Sequence, residues 1–385
     1  MSTRMPLGLG DGLIGLGVAF LLSVALVPLG IRLAWRLGVV DRPVGNKIHQ
    51  RATPLMGGVA IALAFLAAAL LRLSLNPQLV GLLVGCVLAA ALGFWDEVRT
   101  LKPRAHFLGQ IGVVIVTLLV GFPRITSLSN PLHGFNGSSG SFFLSALFGF
   151  KPLYAGHDLV PHDSAPFVTL VIGVLFTIFW IVGMMNTVNF LDGLDGLAGG
   201  VTAIAALFLG LWSVVAARNG FATHDNQNVI LPLILCGAIL GFLVYNWAPA
   251  RVFMGDSGSM FIGFALGALS IFGQIKFGTA LLLLIVPIVD VAWAIVRRLL
   301  GRRSFASGDK HHIYHRLLEL GLSRRAVVLL FYALCIALGV IDLLLYKKEK
   351  LIAFAVVAVV SAAGAVALEV RGRRAAAAQE HVLTP

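Results

Sequence analysis

The apolar sequence FVTLVIGVLFTIFWIVGMM (residues 167–185) runs directly into the polar sequence NTVNFLDGLDGLAGG (residues 186–200). The apolar run is long enough to cross a bilayer as a helix. Carboxylates and carboxamides at the mouth of a membrane helix are costly unless something binds them. Because glycine is a poor helix former, we expect the helix to break here and its polar groups to converge. A solvated Asp-rich loop is the alternative. The polar side chains recur at every third position: Asn186, Asn189, Asp192 and Asp195.

The composition indicates a membrane protein. Of 385 residues, 58% are hydrophobic and 12% are charged, whereas soluble domains have about 25% charged residues. The net charge of +12 is explained by loop Lys and Arg residues on the cytoplasmic side of a membrane. We therefore expect no nucleic-acid partner.

Apolar runs predict an all-α, polytopic integral membrane protein of about eleven transmembrane helices. Residues 1–370 are expected to form a single transmembrane catalytic domain with an external loop at 123–166. Residues 371–385 would be a short cytoplasmic tail. The predicted spans lie near 12–34, 54–74, 79–95, 107–122, 167–185, 197–217, 229–247, 259–274, 278–296, 326–345 and 351–370.

The distribution of basic residues predicts the orientation in the membrane. With the N-terminus outside and the C-terminus in the cytoplasm, 20 of the 29 Lys and Arg residues fall on the cytoplasmic side. The polar motifs of five loops then share that face, as an active site there requires. A transporter would more often place ionisable residues near mid-membrane, and Asp290 is the main such residue here.

The first two cytoplasmic loops contain groups suited to anions and cations. Lys47 and His49 can donate hydrogen bonds to substrate oxygens, although Lys47 also fits the positive-inside rule alone. Asp96 and Glu97 repel each other, so they are expected to share a proton or a cation, unless they form an ordinary charged loop. His106 follows them and could meet a phosphate.

The later loops add further candidates. Asp256 stands just before a span, in FMGDSGS, and offers a hard oxygen ligand for Mg²⁺; capping of the next helix is the alternative. Phe253 could stack on a base. The basic loop DKHHIYHRL at 309–317 suits phosphate better than zinc, because zinc needs three or four converging ligands.

Together, these motifs resemble the polyprenyl-phosphate N-acetylhexosamine-1-phosphate transferase family. The matches are KIH at 47–49, the acidic pair followed by LKP and Gln110, NxxNxxDGxDGL at 186–197, and the two motifs at 253–259 and 309–317. They occur in family order over residues 30–345. The last motif looks like the branch that moves N-acetylglucosamine-1-phosphate to undecaprenyl phosphate.

The resemblance implies an Mg²⁺-dependent transferase, with Mn²⁺ as a substitute, in the bacterial inner membrane. It would transfer N-acetylglucosamine-1-phosphate from UDP-GlcNAc to polyprenyl phosphate and release UMP, the first membrane step of cell-envelope polysaccharide synthesis. Asp96 and Glu97 would be catalytic, and Asn189 and Asp256 would bind the metal. The expected substrate contacts are Lys47, His49, His106, Asn186, Asp192, Asp195, Asn246, Phe253, His311, His312, His315 and Arg316.

The sequence departs from the family pattern at four positions. Glu97 replaces the second Asp of the usual pair, Thr100 an acidic residue, His106 a Lys or Arg, and Tyr314 a histidine. These changes bear on the sugar and on the division of labour more than on the reaction class. Three alternatives remain. The donor could be another UDP-N-acetylhexosamine, or the transferred group could be phospho-MurNAc-pentapeptide. The protein could instead be an anion or lipid-linked solute transporter. A homodimer also remains open.

Overall fold

The protein is described by a computed structural model that covers residues 8–42, 52–123, 166–219, 226–272, 277–300, 312–345, 349–350, 352–364 and 366–367. These residues are mainly helical. The helices are α1 (Leu9–Leu37), α2 (Gly57–Arg72), α3 (Pro77–Arg99), α4 (Pro103–Val120), α5 (Pro166–Leu191), α6 (Leu197–Arg218), α7 (Gln227–Asn246), α8 (Gly255–Ile271), α9 (Phe277–Leu283), α10 (Ile285–Leu300), α11 (Ile313–Glu319), α12 (Arg324–Leu344) and α13 (Ile352–Gly364).

The helices fit a multi-pass membrane protein. Seven helices in the described part of the chain are long and apolar enough to cross a bilayer, namely α1 and α3 to α7, with α5 counted from Leu170, and α12. Shorter apolar helices are α2, α13 and the Ile285–Val296 part of α10. Large apolar side chains such as Leu21, Leu119 and Phe179 are exposed on the outer surface, as lipid-facing positions would be. The all-α prediction is thus confirmed, while the count of eleven spans and the orientation of the termini stay predictions.

One predicted span is wrong as a single helix. The run at 278–296 is divided at Leu284 into α9 and α10. Pro287 has no N–H group and cannot bond to the Leu283 carbonyl one turn earlier. The Cys335 thiol on α12 donates to that carbonyl at 3.7 Å, so the helix break coincides with a contact to a neighbouring helix.

The centre of the bundle is α8, whose residues from Ser257 to Ile271 are all buried. It packs against α2, α3, α5, α6, α7 and α9. Glycines allow the closest approaches, because a Cβ atom on Gly58 would collide with the backbone of Gly258. Likewise, a Cβ atom on Gly93 would collide with the backbone of Asp256. The first turn of α8 is thereby pressed between α2 and α3.

A small β-pair, absent from our sequence prediction, also contacts this region. β1 (Val40–Asp41) and β2 (Thr53–Pro54) are antiparallel, with Val40 opposite Pro54. The Pro54 carbonyl accepts from the Phe253 N–H at 2.8 Å. The pair therefore holds the ends of the first loop beside the segment that leads into α8. Lys47 and His49 lie in that loop, outside the described residues.

The contact between α2 and α8 gives a test of the packing. Gly58→Ala should destabilise the protein by about 1–3 kcal/mol, because a methyl group must displace backbone. Gly112→Ala on α4 is the matched control, since a Cβ atom there meets nothing within 4 Å. Thermal unfolding in detergent should show a lower Tm for the first variant only. Equal Tm values would contradict the close contact.

Candidate active site

The first turn of α8 is tied to the end of α3 by Glu97. Glu97 Oε1 accepts a hydrogen bond from the Ser257 N–H at 2.8 Å, which satisfies one of the unpaired donors of a helix N-terminus. Gly255, which precedes it, has φ +68°, and a Cβ atom there would collide with the Glu97 carboxylate. Both the backbone conformation and the space thus require glycine at this position.

The second oxygen of Glu97 is buried without a hydrogen-bond partner among the described residues. Buried polar atoms in native proteins nearly always have a partner. A buried oxygen without a partner, beside other carboxylates, is expected to bind a cation or a hydrogen-bond donor of the substrate. This oxygen is therefore the most direct structural sign of a ligand site here.

Asp96, the neighbour of Glu97, has a different environment. Its Oδ1 accepts from the Leu101 N–H at 2.5 Å, and its Oδ2 lies 3.7 Å from His106 Nε2. Thr100, where the family has an acidic residue, ends α3 with φ +40° and donates its N–H to the Asp96 carbonyl. The turn between α3 and α4 thus brings His106 to Asp96, and its role in phosphate binding stays a prediction.

Asn189 and Asp256 are in direct contact, although 67 residues separate them. Asn189 Nδ2 donates to Asp256 Oδ1 at 2.7 Å and to Ser259 Oγ at 3.0 Å. Rotation of the amide by 180° would turn Oδ1 towards Asp256, so both side chains could present oxygen to one cation. The two residues expected to bind metal are therefore adjacent.

The donor set is compatible with Mg²⁺ but not with a closed metal cage. Among the described residues, no group of three or more His, Cys, Asp or Glu side chains is arranged to hold a metal ion. Mg²⁺ is often held by one or two carboxylates together with water and substrate phosphates. Asp256, Asn189 and the unpaired oxygen of Glu97 would fit such a partial site.

The loop between α5 and α6 brings two further carboxylates to the site. Asp195 Oδ2 accepts from the Ala250 N–H at 3.0 Å. Burial raises the pKa of Asp192 to about 7, with repulsion from Asp256, Asp195 and Glu97 as smaller causes. The negative charges are thus close enough to disfavour one another, and a bound cation would relieve this repulsion.

The same loop is held at Gly196 by two hydrogen bonds, with Asn246 and with Tyr332. Asn246 Oδ1 accepts from the Gly196 N–H at 2.9 Å, and Asn246 Nδ2 donates to the Val252 carbonyl at 2.8 Å. The Tyr332 hydroxyl donates to the Gly196 carbonyl at 2.5 Å. Asn246, expected to contact substrate, thus uses both ends of its carboxamide to join two loops. Tyr332 was missed, because no sequence signal marks it.

Asn186 also makes hydrogen bonds within the protein. Its Nδ2 donates to Gln110 Oε1 and to the Val182 carbonyl, both at 2.8 Å, so the carboxamide is engaged with α4 and α5. Gln110 itself is fully buried. As placed, this amide pair joins α4 and α5, and a substrate contact by Asn186 stays a prediction.

The histidine motif packs beside the loop that carries Asp192 and Asp195. The His312 ring lies 5.5 Å from the Phe190 ring and 5.8 Å from the Tyr314 ring, parallel to the latter within 7°. Tyr314 packs directly against Gly193, where a Cβ atom would collide with its ring. Tyr314 therefore fills the space beside the Asp192 loop. His312 Nδ1 is bound by Asp290. Zinc is disfavoured because, among the described residues, no group of three or more metal-ligating side chains converges here.

The remaining expected residues have simpler outcomes. Phe253 is half-buried and is held through its backbone, since its carbonyl accepts from the Gly57 N–H at 3.1 Å. Arg316 Nη1 lies 3.6 Å from Glu319 Oε2, and His315 packs against the Tyr314 ring at 4.4 Å. His311, like Lys47 and His49, falls outside the described residues.

Comparison with known proteins identifies the family of the chain. A family profile described as "Glycosyl transferase family 4" matches residues 79–274, half of the chain. The chain belongs to this family. The matched segment of this family 4 protein includes Asp96, Glu97, Asn189 and Asp256. The resemblance drawn from the motifs is thereby confirmed.

Three relatives illustrate the range of this family. The chain is 30% identical to a "Probable undecaprenyl-phosphate N-acetylglucosaminyl 1-phosphate transferase" of Bacillus subtilis, over 84% of this chain and 83% of the relative. It is 31% identical to a "Decaprenyl-phosphate N-acetylglucosaminephosphotransferase" of Mycobacterium leprae, over 83% and 80%. It is also 30% identical to a "Phospho-N-acetylmuramoyl-pentapeptide-transferase" of Geobacillus kaustophilus, over 83% and 93%.

The raised pKa of Asp192 predicts a pH-dependent effect on stability. An acid whose folded pKa is raised destabilises the fold when ionised, so its cost is present at pH 8 and fades as pH falls from about 7 towards 4. Without divalent cations, Asp192→Asn should therefore raise stability at pH 8 by about 1 kcal/mol or more, and by less at pH 5. Thermal unfolding at both pH values with EDTA measures this. A gain that does not depend on pH would contradict the assignment.

Proposed function

We propose that this protein transfers N-acetylglucosamine-1-phosphate from UDP-GlcNAc to undecaprenyl phosphate, giving polyprenyl-diphosphate-GlcNAc and UMP. The main support is the acidic cluster at the first turn of α8, where Asn189 contacts Asp256 and Glu97 keeps one buried oxygen unpaired among the described residues. The names of the Bacillus and Mycobacterium relatives support the sugar and the lipid. The reaction would be the first membrane step of cell-envelope polysaccharide synthesis.

The reaction joins two anions, which explains the need for a cation. An oxygen of the lipid phosphate attacks the sugar-linked phosphorus, and the bond from that phosphorus to the bridging oxygen breaks, so the oxygen leaves with UMP. Mg²⁺, or Mn²⁺ in its place, would neutralise the diphosphate and the charge that develops on UMP. Asn189 and Asp256 would hold it through their oxygens.

The acidic pair would act on the lipid phosphate. Asp96, which is anchored by the Leu101 N–H and faces His106, would orient the attacking phosphate. Glu97 would accept a proton or contact the cation through its second oxygen. A polyprenyl phosphate is largely ionised at neutral pH. The acidic pair would therefore contribute more by orienting the lipid phosphate than by removing its proton.

The nucleotide and the phosphates would occupy the surrounding loops. Asp195 and Phe253 would hold uracil, with Asp192 beside them, while His106, His312, His315 and Arg316 would meet phosphate charge. The same role is proposed for Lys47, His49 and His311. We place the site on the cytoplasmic face of the bacterial inner membrane, with the N-terminus outside and the C-terminus inside, because the basic loops fall on that side.

The second candidate is transfer of phospho-MurNAc-pentapeptide to the same lipid. It is favoured by the Geobacillus relative, which aligns over 93% of its own length. The two candidates share the lipid and the leaving UMP, so they differ only in the group attached to the transferred phosphate.

The substrate is tested by UMP release. Purified protein with Mg²⁺ and undecaprenyl phosphate should release UMP fastest from UDP-GlcNAc within a panel that includes UDP-GalNAc and UDP-MurNAc-pentapeptide. Preference for the pentapeptide would favour the second candidate. Solute uptake that follows an ion gradient, with no UMP from any donor, would indicate a transporter instead.

A substitution at the first turn of α8 tests the metal role. Asp256→Asn can keep the contact with Asn189 but removes a negative charge, so UMP release should fall at least about 100-fold and excess Mg²⁺ should restore it only in part. Asp11→Asn, at an exposed carboxylate paired with Arg72, is the control and should keep wild-type activity. Thermal unfolding would verify that both variants are folded. Near-normal turnover in Asp256→Asn would exclude the metal assignment.

A further inference from the structure

Asp290, a buried carboxylate on α10, binds the histidine motif at His312 and Ile313. Asp290 Oδ2 lies 2.9 Å from His312 Nδ1, and Asp290 Oδ1 accepts from the Ile313 N–H at 3.1 Å. Asp290 is 8% exposed and His312 is 4% exposed. One carboxylate thus binds both the ring of His312 and the backbone that follows it. The sequence showed Asp290 only as an unexplained charge within an apolar run.

The His312 ring is also fixed on its faces. Phe190 and Tyr314 pack against it at ring distances of 5.5 and 5.8 Å. Phe190 directly follows Asn189, so the ring touches the same helix end that contacts Asp256. With its Nδ1 edge bound and two rings packed against it, the imidazole has one hydrogen-bonding edge left, at Nε2.

We propose that Asp290 is a positioning residue for the transfer reaction, acting through His312. This inference rests on the proposed function. When Asp290 accepts the Nδ1 hydrogen, it fixes the orientation of the ring and places a full negative charge beside it. A ring protonated at both nitrogens then donates a charged hydrogen bond from Nε2 to a phosphate oxygen of the substrates. Asp290 itself touches neither substrate nor the reacting atoms.

The energetic cost of this carboxylate argues that it has a function. An ionised side chain within an apolar span is expensive, and a backbone carbonyl could accept the same hydrogen at lower cost. A carboxylate differs from a carbonyl in supplying a full charge to the imidazole. That difference matters when the ring must bind a phosphate beside a cluster of negative side chains.

A second buried carboxylate provides a matched control. Asp342 on α12 pairs with Lys350 at 2.9 Å and accepts from the Thr279 hydroxyl at 2.8 Å. It is 1% exposed. It lies 18 residues, about 27 Å of helix, from the start of α12 at Arg324, which follows α11. Asp342→Asn therefore disturbs a buried polar contact of the same kind, at a distance from the histidine motif.

The test is a double-mutant cycle on purified protein in lipid nanodiscs. UMP release from UDP-GlcNAc would be measured from pH 6 to 9 for wild type, Asp290→Asn, His312→Gln, the double variant and Asp342→Asn. Asp290→Asn should lower kcat/KM by about 10- to 100-fold and change the shape of its pH profile. The double variant should match His312→Gln, because Asp290 acts only through that ring. Asp342→Asn should keep the wild-type pH profile whatever its Tm.

The outcomes distinguish the role of Asp290 from the proposed transferase function. Losses that multiply in the double variant, or a pH profile of Asp290→Asn that matches wild type, would overturn the role of Asp290 and leave a purely structural contact. If Asp290→Asn fails to fold, Asp290→Glu replaces it in the same cycle, together with His312→Gln and the corresponding double variant, and losses that multiply would again overturn the role of Asp290. A wild-type protein that releases no UMP from any UDP-sugar would overturn the proposed function and this inference together.

Discussion

The hydrogen bond from the Ser257 N–H to Glu97 joins the first turn of the central helix α8 to the end of α3. This contact depends on glycines, since side chains at Gly93 or Gly255 would collide with the segments that meet there. It also leaves the other oxygen of Glu97 buried and unpaired within the described part of the chain. The packing that forms the site therefore leaves one buried oxygen of Glu97 without a partner among the residues described.

Other polar side chains of the site are also held by contacts with the first turn of α8 or with the segment before it. Asn189 joins Asp256, and Asp195 joins the segment before α8 through Ala250. Burial raises the pKa of Asp192, and repulsion from neighbouring carboxylates adds to the rise. Carboxylates that lie this close together favour the binding of a cation, as the proposed reaction between two phosphates requires.

Much of this could be predicted from the sequence, because apolar runs and their polar ends follow simple rules. The helical class and the meeting of Asp96, Glu97, Asn189, Asp256 and the histidine motif were both anticipated. The hydrogen bonds of Asn186 and Asn246 to other parts of the protein were not, because the sequence does not show which segment a carboxamide faces. Asn186 binds Gln110, 76 residues away, whereas Asn246 binds the nearby Val252 carbonyl, and neither contact follows from helical spacing.

The contacts of Tyr314 and Asp290 could not be predicted from sequence patterns either, because they depend on how distant helices pack. The contact of Tyr314 with Gly193 explains how a tyrosine is accommodated where the family has histidine, but it requires the position of α11 to be known. Asp290 was visible as a charge in an apolar run, yet its partner lies 22 residues further along the chain. In contrast, the break before α10 follows from Pro287, which lay within the predicted span of 278–296.

The central claim, that the first turn of α8 binds a cation together with the nucleotide sugar, is tested most directly by Mn²⁺ binding. Electron paramagnetic resonance of the purified protein in nanodiscs can follow free Mn²⁺ during titration, with and without UDP-GlcNAc. The account predicts tighter Mn²⁺ binding when UDP-GlcNAc is present, and at least about tenfold weaker binding in Asp256→Asn. Equal Mn²⁺ affinity in wild type and Asp256→Asn, with UDP-GlcNAc bound to both, would contradict it.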